Sequence, residues 1–216
     1  MTKSASPHLP FNLILLGDPA SGKGTQAARL AKKYRFYNLD MGREVRKPAV
    51  LKQYDYKKTT AIGHLTPTAV VRNIFKQVIA TTPARKGILF NGNPKMINEA
   101  KLVARELARA KRTDPLVIYL SIPVGEMFKR AERRREYVNG KLTRRDDDSE
   151  RALRNRQKYY KEQISQVVAF FGERYTVKRI SGMGTEAAVE KKIEAAIAKH
   201  IKHLEKQHGT KNSGRN

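Results

Sequence analysis

Short apolar runs alternate along this chain with longer stretches whose apolar residues recur at helical spacing. Phe11–Leu16 is apolar but for one Asn and predicts a buried strand. Leu116–Ile122, closed by Pro123, predicts the clearest strand. Tyr37–Leu39 and Ile88–Phe90 predict two short ones, and Tyr175–Ile180 alternates as a last one. Helices are predicted over Gly22–Tyr34, Arg43–Val50, Asn98–Lys111, Val124–Arg135, Ser149–Phe171 (capped by Asp148 or Ser149) and Glu186–Leu204. Another opens at Thr66-Pro67-Thr68, carries Val70, Val71, Ile74, Phe75, Val78 and Ile79 on one face, and stops at Thr81-Thr82-Pro83. Residues 51–66 read as irregular with a turn near Gly63, and 136–148 as a loop turning at Asn139-Gly140. Residues 1–10 read as a flexible lead and 205–216 as a flexible tail. Strands alternating with helices predict an α/β domain whose parallel sheet is covered on both faces. Ligand is then expected beyond the carboxyl ends of the strands, where three loops fall: 17–25, 91–95 and the basic run after 122.

The first of these loops carries the chemistry. Gly17-Asp18-Pro19-Ala20-Ser21-Gly22-Lys23-Gly24-Thr25-Gln26 joins a predicted strand to a predicted helix. Gly17 and Gly22 let the backbone curl with its N–H groups inward. Those donors and the positive end of the helix make a nest for phosphate oxygens, and Lys23 adds a mobile charge. A phosphate loop normally reads G-x-x-x-x-G-K followed by Ser or Thr; here Gly24 intervenes and the hydroxyl comes at Thr25. A glycine-rich turn that binds nothing is the bland alternative, and the flanking strand and helix argue against it.

Composition narrows the class. The 216 residues are 39% hydrophobic, enough for one sizeable core, and contain no Cys, which excludes disulfides, thiol nucleophiles and Cys-based zinc sites. No apolar run approaches the ~20 residues of a membrane span, so a soluble, cytoplasmic protein is expected. The charge is unusual: 45 Lys+Arg against 20 Asp+Glu, a formal +25. A basic surface attracts polyanions. A nucleotide substrate, a nucleic acid or anionic membrane, and a merely solvated basic face all fit this balance, and composition does not choose among them.

From about Phe11 to about Leu204 the chain resembles the adenylate kinases and their relatives, the nucleoside monophosphate kinases. The sharpest match is Gly22-Lys23-Gly24-Thr25-Gln26, whose extra Gly and following Gln mark this family among phosphate loops. The resemblance implies a P-loop NTPase-type parallel sheet in a single kinase domain over 11–204. It would carry a monophosphate-binding helical insertion at about 40–70 and a short lid at about 134–146. It implies transfer of the γ-phosphoryl of Mg·ATP to a nucleoside monophosphate, AMP before others, with Mg2+ as cofactor, by a monomer.

Site residues follow from the same resemblance. Gly17, Pro19, Ala20, Ser21, Gly22, Lys23, Gly24, Thr25 and Gln26 would hold ATP, with Gly184 of Ser181-Gly182-Met183-Gly184 against the adenine. Gly42 and Arg46 match the monophosphate helix in Leu39-Asp40-Met41-Gly42-Arg43-Glu44-Val45-Arg46, with Arg46 as a bidentate phosphate clamp. Gly63-His64-Leu65-Thr66-Pro67 resembles the segment closing over the monophosphate base. Arg130 and Arg134 (or Arg135), then Arg145 in Arg145-Asp146-Asp147-Asp148, then Arg156, match the lid arginines around the transferring group. Lys23, Arg130, Arg145 and Arg156 would be catalytic, since phosphoryl transfer is mainly positioning and charge stabilisation. Arg133, Arg135, Arg144 and Arg151 read as a solvated face. The lid lacks the Cys or His of a zinc site.

One loop departs from the family. Its usual Asp-Gly-Phe/Tyr-Pro-Arg appears as Asn91-Gly92-Asn93-Pro94-Lys95. Asn91 keeps an acceptor for metal-bound water but brings no charge, so Thr25 and Asn91 are the indirect magnesium positions. Lys95 keeps the monophosphate charge and loses the guanidinium fork. Glu99 stands where a base-reading Gln is usual, and Met41 is likewise not the usual base-side residue. An alternative therefore stands beside the enzyme: a weakened kinase-fold protein binding nucleotide and RNA or a ribonucleoprotein. A kinase for UMP or CMP is a third reading. No RNA-binding module is visible.

Overall fold

A computed structural model describes residues 11–55, 66–112, 114–133, 135–138, 141–144, 154 and 160–212. Strand β1 (Leu13–Gly17) leads through the phosphate loop into α1 (Lys23–Tyr34). β2 (Tyr37–Asp40), α2 (Met41–Glu44) and α3 (Pro48–Leu51) follow, then α4 (Thr68–Thr81), β3 (Ile88–Asn91) and α5 (Ile97–Arg109). β4 (Leu116–Ser121), α6 (Val124–Arg133) and the strands β5 (Arg135–Val138) and β6 (Lys141–Arg144) come next. A π turn (Tyr160–Ile164) runs into α7 (Ser165–Gly172), and β7 (Val177–Ser181) into α8 (Glu186–Asn212). Among the described residues no helix is long and apolar enough to cross a membrane.

Five strands form one all-parallel sheet in the order β2-β3-β1-β4-β7. Alternation along the strands sends successive residues to opposite faces. Leu13 and Leu15 join Leu89, Ile118 and Leu120 beneath α1 and α8, while Ile14 and Leu16 join Phe90 and Val117 beneath α4, α5 and α7. Both faces are therefore dry, as the continuous apolar runs predicted. The one Asn in the first run is structural: buried Asn12 accepts from the Ile88 N–H through Oδ1 (3.1 Å) and from the Leu116 N–H through its carbonyl (2.9 Å). It ties three strands together at the sheet's amino end.

Four predicted elements differ. The helix over Arg43–Val50 is two short helices, because Pro48 has no N–H to continue the first and holds Lys47 extended (φ −65°, ψ 137°). The loop over 136–148 contains the antiparallel pair β5–β6, with Arg135 opposite Arg144 and Val138 opposite Lys141. Asn139-Gly140 lies between the two strands, and that dipeptide favours hairpin connections. Where the pattern over Ser149–Phe171 predicts one α-helix, the described part is α-helical at Arg154 and then a π turn followed by α7. The final helix ends at Asn212 rather than Leu204: past the last buried apolar residue it continues first through Glu205-Lys206-Gln207, all good helix formers, and helical pattern alone underestimates its length. The Asp148 and Ser149 caps and the Gly63 turn lie outside the described residues.

Arg112 closes the carboxyl end of α4. Its guanidinium donates to the carbonyls of Ile79 (3.3 Å), Lys86 (3.1 Å), Pro83 (3.4 Å) and Thr82. A helix end leaves carbonyls without intrahelical partners, and a planar multidonor cation suits them.

Candidate active site

The carboxyl ends of the strands open into a cleft of about 960 Å³. Its walls come from the phosphate loop, from α2, from the loop after β3, from α6 and from the turn before α8. Of the residues selected from sequence, Ala20, Ser21, Gly22, Lys23, Gly24, Thr25, Gln26, Met41, Gly42, Arg46, Asn91, Lys95, Arg130 and Gly184 line it. Gly17 and Pro19 are not on the lining; Gly17 shapes the loop from below. A Cβ on Gly17 would lie 2.3 Å from the Leu120 carbonyl oxygen, so only glycine lets β1 turn out beside β4. Ala20 adopts φ 56°, a left-handed conformation that costs an alanine about 1–2 kcal/mol.

Lys23 folds back over this loop. Its Nζ donates to the carbonyls of Gly17 (2.8 Å) and Asp18 (2.7 Å) and lies 3.5 Å from Ser21 Oγ. These bonds hold the ammonium across the mouth of the phosphate nest. Asp18, which the sequence assigned no role, anchors the loop to β4. Its Oδ1 accepts from the Tyr119 hydroxyl (2.5 Å), its Oδ2 from the Ile122 N–H (2.9 Å), and its own N–H donates to the Leu120 carbonyl (2.9 Å). Arg179 stacks over the Tyr119 ring at 5.1 Å. An acid in a loop of small residues, and a Tyr within an apolar strand, were the legible signals.

The loop after β3 packs directly against Lys23. The Gly92 N–H donates to the Leu15 carbonyl (2.8 Å), and a Cβ on Gly92 would stand 3.6 Å from Lys23 Cε. Buried Asn93 donates through Nδ2 to the Asn91 carbonyl (2.9 Å), and the Asn93–Pro94 peptide is cis. Glu99 does not reach the cleft lining. Its Oε2 accepts from the N–H groups of Lys95 (2.8 Å) and Met96 (3.3 Å), closing the start of α5. Burial pushes its carboxyl up from the usual range, and the two N–H donors oppose that.

On the opposite wall, Asp40 caps α2 by accepting from the Arg43 N–H (3.3 Å). A Cβ at Gly42 would meet Asp40 Oδ1 at 3.2 Å and Arg46 Nη1 at 4.0 Å, so the Arg46 guanidinium passes beside a position that only a small residue leaves open. Buried Glu44 anchors this helix. It accepts from the Tyr37 hydroxyl (2.8 Å) and pairs with Lys47 (2.5 Å), and that hydrogen bond raises the Lys47 ammonium above its usual range.

Arg130 links two walls. Its Nε donates to Glu126 (2.6 Å) and its Nη1 to the Gly182 carbonyl (3.0 Å), and the first contact holds the Glu126 carboxyl below its usual range. Gly182 lies tight on the phosphate loop, since a Cβ there would be 3.0 Å from the Ser21 carbonyl. Arg133, read from sequence as a solvated face, also lines the cleft. It follows Arg130 by three residues, and residues at that spacing share a helix face. Thr185, Glu186 and Val189 line the cleft without any sequence signal, because they reach it only through the turn after β7. Gln26 is 2% exposed, and its Nε2 donates to the Glu186 carbonyl (2.8 Å), joining α1 to α8. Arg134, Arg145, Arg156 and Gly63-His64-Leu65 lie outside the described residues.

For a metal, Thr25 and Asn91 offer neutral oxygens on the cleft wall. Among the described residues no group of three or more Asp, Glu or His side chains could hold an ion. Such donors fit a hydrated Mg2+ that arrives on a triphosphate rather than a resident ion in a protein cage.

A family model described as Adenylate kinase matches residues 15–176. The chain is 29% identical over 214 residues to the adenylate kinase of Syntrophobacter fumaroxidans, covering 87% of this chain and 100% of that one. It is 30% identical over 193 residues to that of Agrobacterium fabrum (88% and 98% covered), and 28% identical over 215 residues to that of Archaeoglobus fulgidus (88% and 99%).

Proposed function

The chain belongs to the adenylate kinase family, and on that premise we propose that it transfers the γ-phosphoryl of Mg·ATP to AMP, giving two ADP. The observation that carries this reading is the convergence of the phosphate loop, of α2 with Arg46 just beyond it, and of Arg130 on one cleft. An oxygen of the AMP phosphate attacks the γ-phosphorus while the bond to the β–γ bridging oxygen breaks. Negative charge on the phosphoryl oxygens and the leaving ADP must be stabilised in the transition state. Lys23 exchanges its carbonyl partners for phosphate oxygens and follows the group. The N–H groups at the start of α1, residues 22–25, hold the β-phosphate. Arg130 supplies charge from α6, and by the family resemblance Arg145 of the lid and Arg156 beyond it add theirs. Arg46 and Lys95 fix the acceptor's phosphate, with Met41 beside its base. Thr25 through its hydroxyl and Asn91 through a water would hold the Mg2+ that comes with the triphosphate, and the ion would supply charge to offset that of the phosphate oxygens.

Asn91 and Lys95 favour a second reading, a weakened kinase scaffold that retains nucleotide. A coupled assay of ADP formation with Mg·ATP and AMP, UMP, CMP, GMP or dTMP separates the two. Turnover with AMP above the others supports the proposal, and no turnover with any acceptor overturns it. In Asn91→Asp, the added charge is expected to raise turnover at limiting Mg2+. No gain, with nucleotide still bound, would favour the non-catalytic reading.

A further inference from the structure

Helix α8 (Glu186–Asn212) sorts its charges by face. Its acids Glu186, Glu190 and Glu194 recur every four residues and turn toward α1. Arg29 pairs with Glu190 at 2.5 Å and Glu186 at 3.8 Å, and Lys33 with Glu194 at 2.5 Å. Val189, Ile193, Ile197 and Leu204 form its buried face. Lys191, Lys192, Lys199, Lys202 and Lys206 are all exposed, and at 3.6 residues per turn they fall within an arc of about 100°, centred about 150° from the acids. Among the described residues no ion pair engages Lys191, Lys192, Lys199 or Lys202. The acids that would neutralise an ordinary helix surface are spent on α1, and only Glu205 borders the stripe.

α8 packs over β4 and β7, with α1 on one flank, and the lysine arc lies about 150° round the helix from its buried face, turned away from the sheet. From Lys191 to Lys206 the arc follows about 22 Å of helix, at 1.5 Å per residue.

We propose that this row is a docking surface for the phosphate backbone of a double-helical nucleic acid. The chemistry selects that occupant. Lysines are compact point charges that take phosphate oxygens one at a time, and the about 22 Å from Lys191 to Lys206 span a little under two thirds of a duplex turn of about 34 Å. The exposed face of α8 carries Lys, Ala and His203 but no Phe, Tyr or Arg among the described residues, so it has no platform for stacking single-stranded bases and no fork for reading base edges. Binding is therefore independent of sequence. The row begins at Lys191, past Glu186 and Val189 at the cleft, so it leaves nucleotide access open.

The test is anisotropy titration of the whole chain against duplex RNA and duplex DNA of about 20 bp, with salt raised from about 50 to 200 mM. About five neutralised phosphates give a log–log salt slope near −4.5, an affinity loss of about 500-fold over that range. Lys191→Gln/Lys192→Gln/Lys199→Gln/Lys202→Gln should flatten the slope by about 3–4 and weaken binding about 100-fold at the lower salt. The control Arg72→Gln/Lys76→Gln/Lys101→Gln/Arg109→Gln removes equal charge from exposed sites on α4 and α5, on the other sheet face, and should change binding only a few-fold. Neither variant touches the cleft, so phosphoryl transfer or nucleotide binding should be unchanged in both, which reports the fold. Equal losses in the two variants overturn the proposal in favour of diffuse charge. So does tighter binding to a single strand, or binding confined to anionic phospholipid vesicles.

Discussion

Lys23 and Asp18 are two ends of one device. Lys23 carries the loop's mobile charge, and Asp18, held by Tyr119 and the Ile122 N–H, keeps its frame against β4. Lys23→Met should cost transfer at least ~100-fold, the scale of losing a preorganised charge in an active site. Its thermal midpoint should stay within a few degrees, because the Lys23 side chain lines the open cleft, from which water can take its place on the two carbonyls. Asp18→Ala acts differently. It leaves the chemistry's charges intact and loosens the nest, so the KM for ATP rises several-fold more than kcat falls. Tyr119→Phe removes one of the two anchors and should show a smaller shift of the same kind, with a stability cost of about 1 kcal/mol. Equal effects on KM and kcat in both variants would contradict this role. The same fine scale accounts for Glu99: the family resemblance implies a base reader at this position, but its carboxylate closes its own helix.

At the scale of elements, two side chains decide how helices end and pack. Arg112 gathers four carbonyls at the end of α4. Arg112→Ala should destabilise by about 2 kcal/mol, about 4–8 °C in midpoint by thermal denaturation, and Lys at this position should recover only part, having no fork. His200 is a buried position of α8, with its ring 4.9 Å from that of Phe11 in an edge arrangement. Burial pulls its pKa down from the usual value; Asp114 opposes this and His203 adds to it. The sign follows. The unfolded chain takes the proton first, so the stability His200 allows is complete above an unfolded pKa of ~6.5 and declines as pH falls through that value toward the lower folded one. Thermal midpoints at pH 7 and pH 5 should therefore differ less in His200→Leu than in the parent.

For the whole molecule, the cleft matters because no single element makes it. A ligand bridging the phosphate loop and α2 with Arg46 spans from the central strand β1 to the edge strand β2. A bisubstrate analogue with two adenosines on one polyphosphate should stabilise the parent by about 2.7 kcal/mol at a hundredfold excess over Kd, about 5–10 °C in midpoint. Lys23→Met should lose most of that shift, measured by calorimetry, and an unchanged shift would mean that the phosphates sit elsewhere.

What could be read from the chain alone was whatever depends on local order. The parallel strands are buried on both faces, so their apolar runs are continuous and legible. The phosphate loop is contiguous, so Gly17 to Gln26 declare themselves by spacing. Pro48 also interrupts a helix by local means, yet the apolar periodicity over 43–50 hid it. Tertiary structure alone decided what depends on groups far apart in sequence. Asp18 meets Tyr119 only because β1 and β4 are neighbours, and Thr185 and Val189 reach the cleft only because β7 ends beside them. Arg133 turns into the cleft and Glu99 away from it by helix phase and hydrogen bonding, which composition does not encode. The acids of α8 face α1 and its lysines face outward because packing on β4 and β7 sets the rotation of that helix. A net charge of +25 cannot specify where the charge lies; the burial of Val189, Ile193 and Ile197 does.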